Sequence, residues 1–283
     1  QSVRSYSDAD MTILTGYREV VNNYNNADGS DNPEARRLGN ARVATVSRWT
    51  DDTKANSKLV DQTITTTNSF DSLGRALTQT QITSIWNGSA IIAALKNEIT
   101  FEGYNNLNDA AIQKIKSSRM VESIASAVTR ADENKNGTID AADQVLWRKR
   151  GGSQADYDNI RAHFGDNVAT VAGNPANQAA TELFIDFKVF SNRSFDASHN
   201  VSNQMVKTYL TQDGSGIASN IQEIRSTYNA QGQATTQQIV SYADEAKTQR
   251  TSAQTIINSN YDQAGNARTR VITNYSNVNY QNN

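Results

Sequence analysis

Hydrophobic and polar residues alternate along much of the chain, in the period-two pattern of half-buried β-strands. The alternation stops at an aromatic residue, which is followed by Asp or Asn and then by Gly, and afterwards it resumes. Asp and Asn begin tight turns by bonding the backbone that follows them, and Gly accepts the positive φ that closes such turns. The pattern therefore predicts a series of β-hairpins.

The hairpin unit recurs with a regular period. Its aromatic residue returns every 33 residues, at Phe195, Tyr228 and Tyr261, and this period lies in the range of known structural repeats. Phe70 begins a further copy, and a copy at Tyr24 is split by an insertion. We therefore expect hairpin repeats in both halves of the chain.

Two segments test the hairpin interpretation. Residues 234–258 also place Ile239, Tyr242 and Ala246 at helical spacing, but related segments are rich in Thr and β-branched residues, so we expect strands. His199 stands where other units carry Gly, so we expect its turn to close differently or to be strained.

Between residues 88 and 181 the alternation lapses. The spacing of apolar residues predicts a helix over 110–131, which leads directly into the segment DENKNGTIDAAD at 132–143. We predict hairpin repeats at 1–87, an inserted helical module at 88–180 and hairpin repeats at 181–283. The predicted fold class is α+β, mainly β: an array of β-hairpin repeats of about 33 residues with an inserted EF-hand-like helical module.

Segment 132–143 fits the twelve-position calcium loop, in which oxygen ligands recur and Gly137 at position 6 permits a sharp turn. The predicted Ca²⁺ ligands are Asp132, Asn134, Asn136, Thr138 through its carbonyl, Asp140 and Asp143. We expect Ile139, at position 8, to point to the core. Because position 12 is Asp rather than Glu, we expect weak binding, with a Kd on the order of 10⁻⁴ to 10⁻³ M. The alternative is a turn that keeps this shape without a metal.

The composition of the chain argues against several classes of function. The 283 residues have a net charge of −2 and a mean hydropathy of −0.65, so the polarity comes from neutral amides and hydroxyls. There is no basic stripe for nucleic acid and no apolar run of about 18 residues for a membrane span. The absence of Cys excludes disulfides and thiolate metal sites. Neither a Gly-x-Ser-x-Gly nor a His-Glu-x-x-His motif is present, so we expect no enzyme.

The hairpin unit also carries a family resemblance. FDSLGRALTQT at 70–80 and YDQAGNARTR at 261–270 resemble the Rhs or YD repeat of large bacterial surface and secreted proteins. The resemblance implies a long β-sheet structure outside the cell or on its surface. With no apolar signal region at its start, the chain is expected to be either cytosolic or already processed, and the resemblance favours a secreted protein whose signal has been removed.

The insert is similar to a dockerin type I module. NGTIDAADQVLWRKRGG at 136–152 is followed by SQADYDNIRAHFG at 153–165, a second half-copy in which Asp156 takes the place of Asp143. Since no Asp-rich loop precedes the half-copy, one metal site is expected and not two. The resemblance implies a cohesin-like or glycan partner.

These features predict a structural extracellular protein, a subunit or segment of a bacterial surface fibre or sheath that is stabilised by calcium. The chain opens with QSVRSYSDAD at 1–10, which matches the second strand of a hairpin. We therefore expect self-association through β-strand pairing at an open sheet edge, the alternative being pairing within the same molecule. A second hypothesis is a dockerin-like binding module on a repeat scaffold. A polysaccharide-acting enzyme fragment is the least favoured interpretation.

Overall fold

The computed structural model describes residues 1–6, 10–87, 90–177, 180–262 and 265–275. Within them, thirteen strands form one open antiparallel sheet, in which each strand pairs with the strands before and after it in the sequence. The strands are β1 (Ser2–Tyr6), β2 (Leu14–Asn23), β3 (Val43–Trp49), β4 (Leu59–Phe70), β5 (Ala76–Trp86), β6 (Ile91–Tyr104), β7 (Ala110–Val121), β8 (Thr181–Phe195), β9 (Val201–Tyr209), β10 (Asn220–Tyr228), β11 (Ala234–Tyr242), β12 (Arg250–Tyr261) and β13 (Ala267–Tyr275). A mainly β fold with hairpin-like repeats is thus confirmed.

The α-helices of the described residues occupy two connections. Helix α1 (Pro33–Leu38) lies between β2 and β3, inside the insertion that splits the first hairpin unit. Four helices lie between β7 and β8: α2 (Ile124–Ala131), α3 (Ala141–Arg150), α4 (Gln154–Ala162) and α5 (Val168–Ala172). None of the helices in the described ranges has the length and hydrophobicity that a membrane span requires.

The helix predicted over 110–131 is wrong in its first part. Ala110–Val121 is strand β7, which pairs with β6 and β8, so the sheet continues past the residue 88 at which we placed the start of the insert. The hairpin turn that joins β6 to β7 escaped the motif because Asn108, and not Gly, takes its positive φ. Asn105 Oδ1 accepts the N–H groups of Leu107 and Asp109 in this turn. The helical part of the insert begins only at Ile124.

The two tested segments both resolve as hairpins. Residues 234–258 fall in β11 and β12, as expected. The turn at His199 does not close differently: Asp196 Oδ1 accepts the N–H groups of Ser198 and Asn200, as the first residue of the other turns does. His199 adopts φ 65, close to the φ 74 of Gly232. The turn keeps its shape with a non-Gly residue in the left-handed region, which is uncommon for an L-residue.

A tyrosine hydroxyl joins each of several hairpins to the one before it. Tyr228 Oη donates to the carbonyl of Val201, the residue that follows the preceding turn, at 2.8 Å. The same bond joins Tyr104 to Ala76 and Tyr261 to Ala234. The aromatic position of the repeat therefore satisfies a backbone acceptor of its neighbour as well as filling space.

Where the aromatic residue is Phe, the side chain three positions earlier makes this bond. At Tyr261 both groups do so, since Asn258 Nδ2 also donates to the carbonyl of Ala234. Asn192, three residues before Phe195, donates through Nδ2 to the carbonyl of Ala110 at 2.8 Å. Thr67, three residues before Phe70, donates through Oγ1 to the carbonyl of Ala41 at 3.2 Å. Each of these part-buried carbonyls therefore accepts a hydrogen bond, either from a tyrosine hydroxyl or from the side chain three residues before the aromatic position. A buried carbonyl without a donor would destabilise the fold.

Neutral polar side chains pair across neighbouring strands, which accounts for the amide-rich composition. Gln204 Nε2 donates to Asn192 Oδ1 at 2.7 Å, and Gln254 Nε2 donates to Asn274 Oδ1 at 2.8 Å. Because the sheet is a single layer, most of its side chains are only half-buried. Cross-strand amide bonds satisfy polar groups on such a surface without a covering layer.

The buried apolar residues form separate clusters rather than one core. The first cluster, in β9 to β12 and the β9–β10 connection, contains Met205, Tyr209, Ala218, Ile221, Val240, Tyr242 and Ala253. The second, in the helical insert, contains Val128, Ala131, Ile139 and Ile160. The third, near the start of the sheet, contains Tyr17, Trp49 and Leu59. The helical insert therefore has its own interior.

The link between hairpins is testable at Tyr228. Tyr228→Phe keeps the ring and removes the donor to the Val201 carbonyl, so we expect the free energy of unfolding to fall by about 1 kcal/mol. Urea denaturation followed by circular dichroism measures this loss. Tyr24→Phe is the control, because the bond that the Tyr24 hydroxyl accepts from Asn22 is exposed, and it should change stability by less than about 0.5 kcal/mol. Equal losses in the two variants would contradict the proposed role of the link.

Candidate metal centre

The six predicted ligand residues lie in one loop and the first turn of the helix that follows it. Helix α2 (Ile124–Ala131) is capped by Ser123, whose Oγ accepts the N–H of Ser126 at 3.1 Å. The loop then runs from Asp132 to Asp140, where α3 begins. The local sequence thus places the loop between two helices, as a calcium loop requires.

The carboxylate of Asp132 organises the first half of the loop. It accepts the N–H of Asn136 through Oδ1 at 3.0 Å and the N–H of Gly137 through Oδ2 at 2.8 Å. Gly137 has φ 86, a conformation that favours Gly, and so allows the sharp turn expected at position 6. Asp132 is buried, which keeps these bonds out of competition with water.

The two Asn ligands continue the turn with their side-chain oxygens. Asn134 Oδ1 accepts the N–H of Asn136 at 2.9 Å, and Asn136 Oδ1 accepts the N–H of Thr138 at 2.8 Å. Asn and Asp side chains commonly bond the backbone two residues on in this way. The loop is therefore curled by its own polar side chains, and the oxygens that do so are the ones predicted to bind the ion.

Asp140 and Asp143 form a capping box at the start of α3. Asp140 Oδ1 accepts the N–H of Ala142 at 2.7 Å, while Asp143 Oδ2 accepts the N–H of Asp140 at 2.7 Å. Asp143 Oδ1 reaches back across the loop to the N–H of Asn134 at 3.0 Å. Asp143 is fully buried, so one carboxylate closes the loop onto the helix from inside.

Ile139 connects the loop to the second half of the insert. Its side chain is fully buried, as expected for position 8. Its N–H donates to the carbonyl of Asp166 at 3.0 Å, and its carbonyl accepts the N–H of Gly165 at 2.8 Å. An isolated β-bridge joins Thr138 to Asn167 beside it. These backbone bonds join the loop to the connection between α4 and α5.

The donor set of the loop fits a calcium ion. Carboxylate, amide and carbonyl oxygens are the ligands that Ca²⁺ prefers, and a carboxylate oxygen that accepts one N–H keeps a second lone pair. Across the described ranges, no group of three or more His, Cys, Asp or Glu side chains is arranged to hold a metal. A cation here would consequently depend on the oxygens of Asn134, Asn136 and Thr138 as well as on the carboxylates.

A network of ion pairs that no sequence motif predicts lies next to the loop. Arg130 pairs with Glu122 at 2.6 Å and with Asp156 at 3.1 Å. Arg150 pairs with Asp156 at 3.2 Å and also with Glu133. These partners are separated by up to 26 positions in sequence, and no local motif relates them. Only the half-copy resemblance had drawn attention to Asp156.

The acids of this network have lowered pKa values. Burial alone would raise the pKa of Asp156, but hydrogen bonds from Ser153 and the charge of Arg150 outweigh it and hold this pKa below its usual value. Burial is likewise outweighed at Glu122, where bonds from Arg130 and Ser126 lower the pKa of the carboxyl. Both groups are therefore stabilised in their ionised form.

No protein-family model and no curated protein matches this chain. The resemblances to Rhs repeats and dockerin modules therefore rest on the quoted motifs. The geometry of the loop stands independently of them.

The lowered pKa values predict acid sensitivity of the insert. A carboxyl whose pKa is lower in the folded state stabilises the fold fully above its unfolded pKa, about 4.3 for Glu and 3.9 for Asp, and loses this stabilisation as the pH falls further. We expect the helical circular dichroism signal to hold from about pH 7 to 5 and to weaken below about pH 4.

The control for this acid titration is a pair of variants. Glu122→Gln with Asp156→Asn should flatten the pH dependence, because neither side chain titrates any longer. Asp158→Asn, at an exposed position on α4, should leave it unchanged. A titration curve that is the same in the double variant and in the unaltered protein would contradict the assignment.

Proposed function

We propose that this protein is a structural extracellular protein, a subunit or segment of a bacterial surface fibre or sheath built by β-strand pairing. One observation carries the proposal: among the described residues, the outer strands β1 and β13 of the open sheet each have a partner on one side only. An exposed strand edge offers unpaired N–H and C=O groups to another strand. The proposal assigns no enzymatic activity.

The surface of β13 favours association. Val271 and Ile272 on opposite faces of this strand are 53% and 50% exposed, and Ile257 on the adjacent β12 is similarly exposed. Sheet edges that avoid pairing usually carry proline or inward-pointing charges at such positions. An added strand would cover these apolar side chains and satisfy the outer backbone groups of β13 at the same time.

The two edge strands, β1 and β13, differ in sequence, so a contact between them would join two unlike surfaces. Strand β1 pairs with β2 inside the chain, as the alternative interpretation of its sequence held, and among the described residues its other side has no partner strand. Arg4 in β1 has counterparts in Arg268 and Arg270 of β13, so charge does not separate the two edges. The exposed apolar pair Val271 and Ile272 is found on β13 and not on β1. Pairing of one copy's β13 with another's β1 would be heterologous, and heterologous contacts that do not close a ring produce open filaments.

Calcium is the proposed ion of the loop at 132–143. Bound there, Ca²⁺ would neutralise the carboxylates of Asp132, Asp140 and Asp143 and draw the loop oxygens together. The chain itself already supplies the turn at Gly137 and the capping box of α3. A loop with three carboxylates suits the weak affinities of extracellular modules, which are loaded where calcium is near millimolar. This supports a location outside the cell or on its surface, for a secreted protein.

Docking of a partner protein or glycan by the insert is the second candidate function. Helix α3 exposes Val145 and Leu146, and Phe164 lies exposed beyond the end of α4. Exposed apolar side chains on a small helical module are typical of a docking surface. In this case the repeats would serve as a scaffold for the insert.

Assembly through β13 is testable with one charge. Ile272→Lys places a cation on the exposed edge, so we expect filaments seen by negative-stain electron microscopy to disappear while the circular dichroism spectrum is kept. Ile217→Lys is the matched control, because Ile217 is 91% exposed in the β9–β10 connection, and it should still form filaments. Strictly monomeric unaltered protein, with and without calcium, would refute the fibre.

The calcium site is testable by titration calorimetry on the full chain. We expect one site with a Kd on the order of 10⁻⁴ to 10⁻³ M, because one complete loop is present. Asp132→Ala should abolish the binding, while Asp158→Ala, an acid on α4 outside the loop, should not change it. No heat of binding at several millimolar calcium, or undiminished binding by Asp132→Ala, would exclude the site.

A further inference from the structure

The second half of the insert repeats the capping geometry of the first half. Ser153 and Asp156 form a capping box at the start of α4, as Asp140 and Asp143 do at the start of α3. In each pair the acid occupies the third position of its helix, and its carboxylate accepts the N–H of the capping residue. Both Asp residues are buried. The two halves therefore present the same buried carboxylate in the same local structure.

The surroundings of the two carboxylates differ. Asp143 accepts two backbone N–H groups, and no Lys or Arg of the described residues forms an ion pair with it. Asp156 faces two guanidinium groups: Arg130 Nη1 lies 3.1 Å from Oδ1, and Arg150 Nη2 lies 3.2 Å from Oδ2. A buried carboxylate is costly without compensating groups, and Asp143 has backbone N–H groups at a helix N-terminus, whereas Asp156 has two guanidinium groups as well. The first half therefore leaves room for a cation from outside, and the second half already contains its own.

We propose that Arg130 and Arg150 act as an internal cation, which takes in the second half of the insert the place that calcium takes in the first. The comparison with calcium rests on the proposed function. The ion pairs with Asp156 do not, because they are complete without a metal. The insert would then bind one calcium ion, and its second half would stay folded when calcium is removed.

Each arginine also reaches a second carboxylate, and these contacts tie the helices together. Arg130, in the last turn of α2, bonds Glu122 just after β7. Arg150, at the end of α3, bonds Glu133 in the calcium loop. Through Asp156 on α4, the two arginines connect three helices. The helix arrangement is therefore held by the chain, and calcium is left to order the loop.

Burial distinguishes this network from ordinary surface ion pairs. Exposed pairs contribute little because water and salt screen them. The Asp156 side chain is only 5% exposed and that of Arg130 18% exposed, so both are largely shielded from solvent. Arg150 is 39% exposed, so its pair with Asp156 is partly screened. Removing one partner would leave the other charge buried without compensation, which is strongly destabilising. The network should therefore show a large effect on substitution.

The test is hydrogen–deuterium exchange of the full chain, in EGTA and in 5 mM calcium, followed by mass spectrometry of peptides that cover α4. Arg130→Gln with Arg150→Gln should speed exchange in residues 154–162 by about tenfold or more in both buffers, because charged hydrogen bonds are lost. Arg148→Gln, an exposed arginine in the last turn of α3, is the matched control and should leave α4 unchanged. Unchanged exchange in the double variant would overturn the proposal.

Two further variants keep the test decisive if the double variant unfolds the insert. Asp156→Asn keeps the capping side chain but removes the charge, and combined with the arginine changes it should cost less than the sum of the separate effects. Additive effects would contradict the network. Asp132→Ala in EGTA should leave exchange of α4 as it is in the unaltered protein; faster exchange would contradict a metal-free second half.

Calorimetry separates this proposal from the calcium proposal. One calcium ion per chain supports both. Two ions per chain would overturn the internal cation, because the second half would then take a metal. No calcium binding would refute the proposed calcium site alone, and the exchange in EGTA would still decide whether the arginines hold α4.

Discussion

The structure depends on hydrogen bonds between neighbouring strands, because a single-layer sheet has no second layer to bury its faces. Each hairpin must therefore satisfy the backbone of the one before it. Tyr228 does so through its hydroxyl, and Asn192 does so where Phe195 has none. The same constraint explains the composition: cross-strand amide pairs keep a half-exposed sheet polar without a high net charge. The buried apolar side chains form small, separate clusters.

Local patterns predicted much of the fold. The hairpin turns depend on one Asp or Asn and one residue with positive φ, so their residues stand close together in sequence. The pattern failed where another residue took the Gly position, as Asn108 does between β6 and β7. The predicted insert at 88–180 therefore includes two strands of the sheet, β6 and β7. His199 shows the same tolerance, because its turn closes in the ordinary way despite a non-Gly residue.

The candidate metal loop and the ion-pair network beside it differ in how far apart their residues lie in the sequence. The six loop residues lie in twelve consecutive positions, and the structure brings their backbone and side chains into one curled loop. The ion pairs of Asp156 with Arg130 and Arg150 join three helices, and nothing in local spacing foretells them. The loop could be predicted because its residues are close together in the sequence. The ion pairs could not be predicted, because only the packing of the helices brings their residues together.

The proposed function follows from an open sheet in which every strand pairs with its sequence neighbours, and which can in principle be extended at either edge. If copies join by strand pairing, the hydrogen bonds of the sheet run along the fibre and the strands lie across it. Fibre diffraction of aligned assembled material measures this most directly. Assembly by strand pairing predicts a reflection at about 4.7 to 4.8 Å along the fibre axis, the spacing of hydrogen-bonded strands. The same reflection perpendicular to the axis, or its absence from ordered fibres, would contradict assembly through the sheet edges.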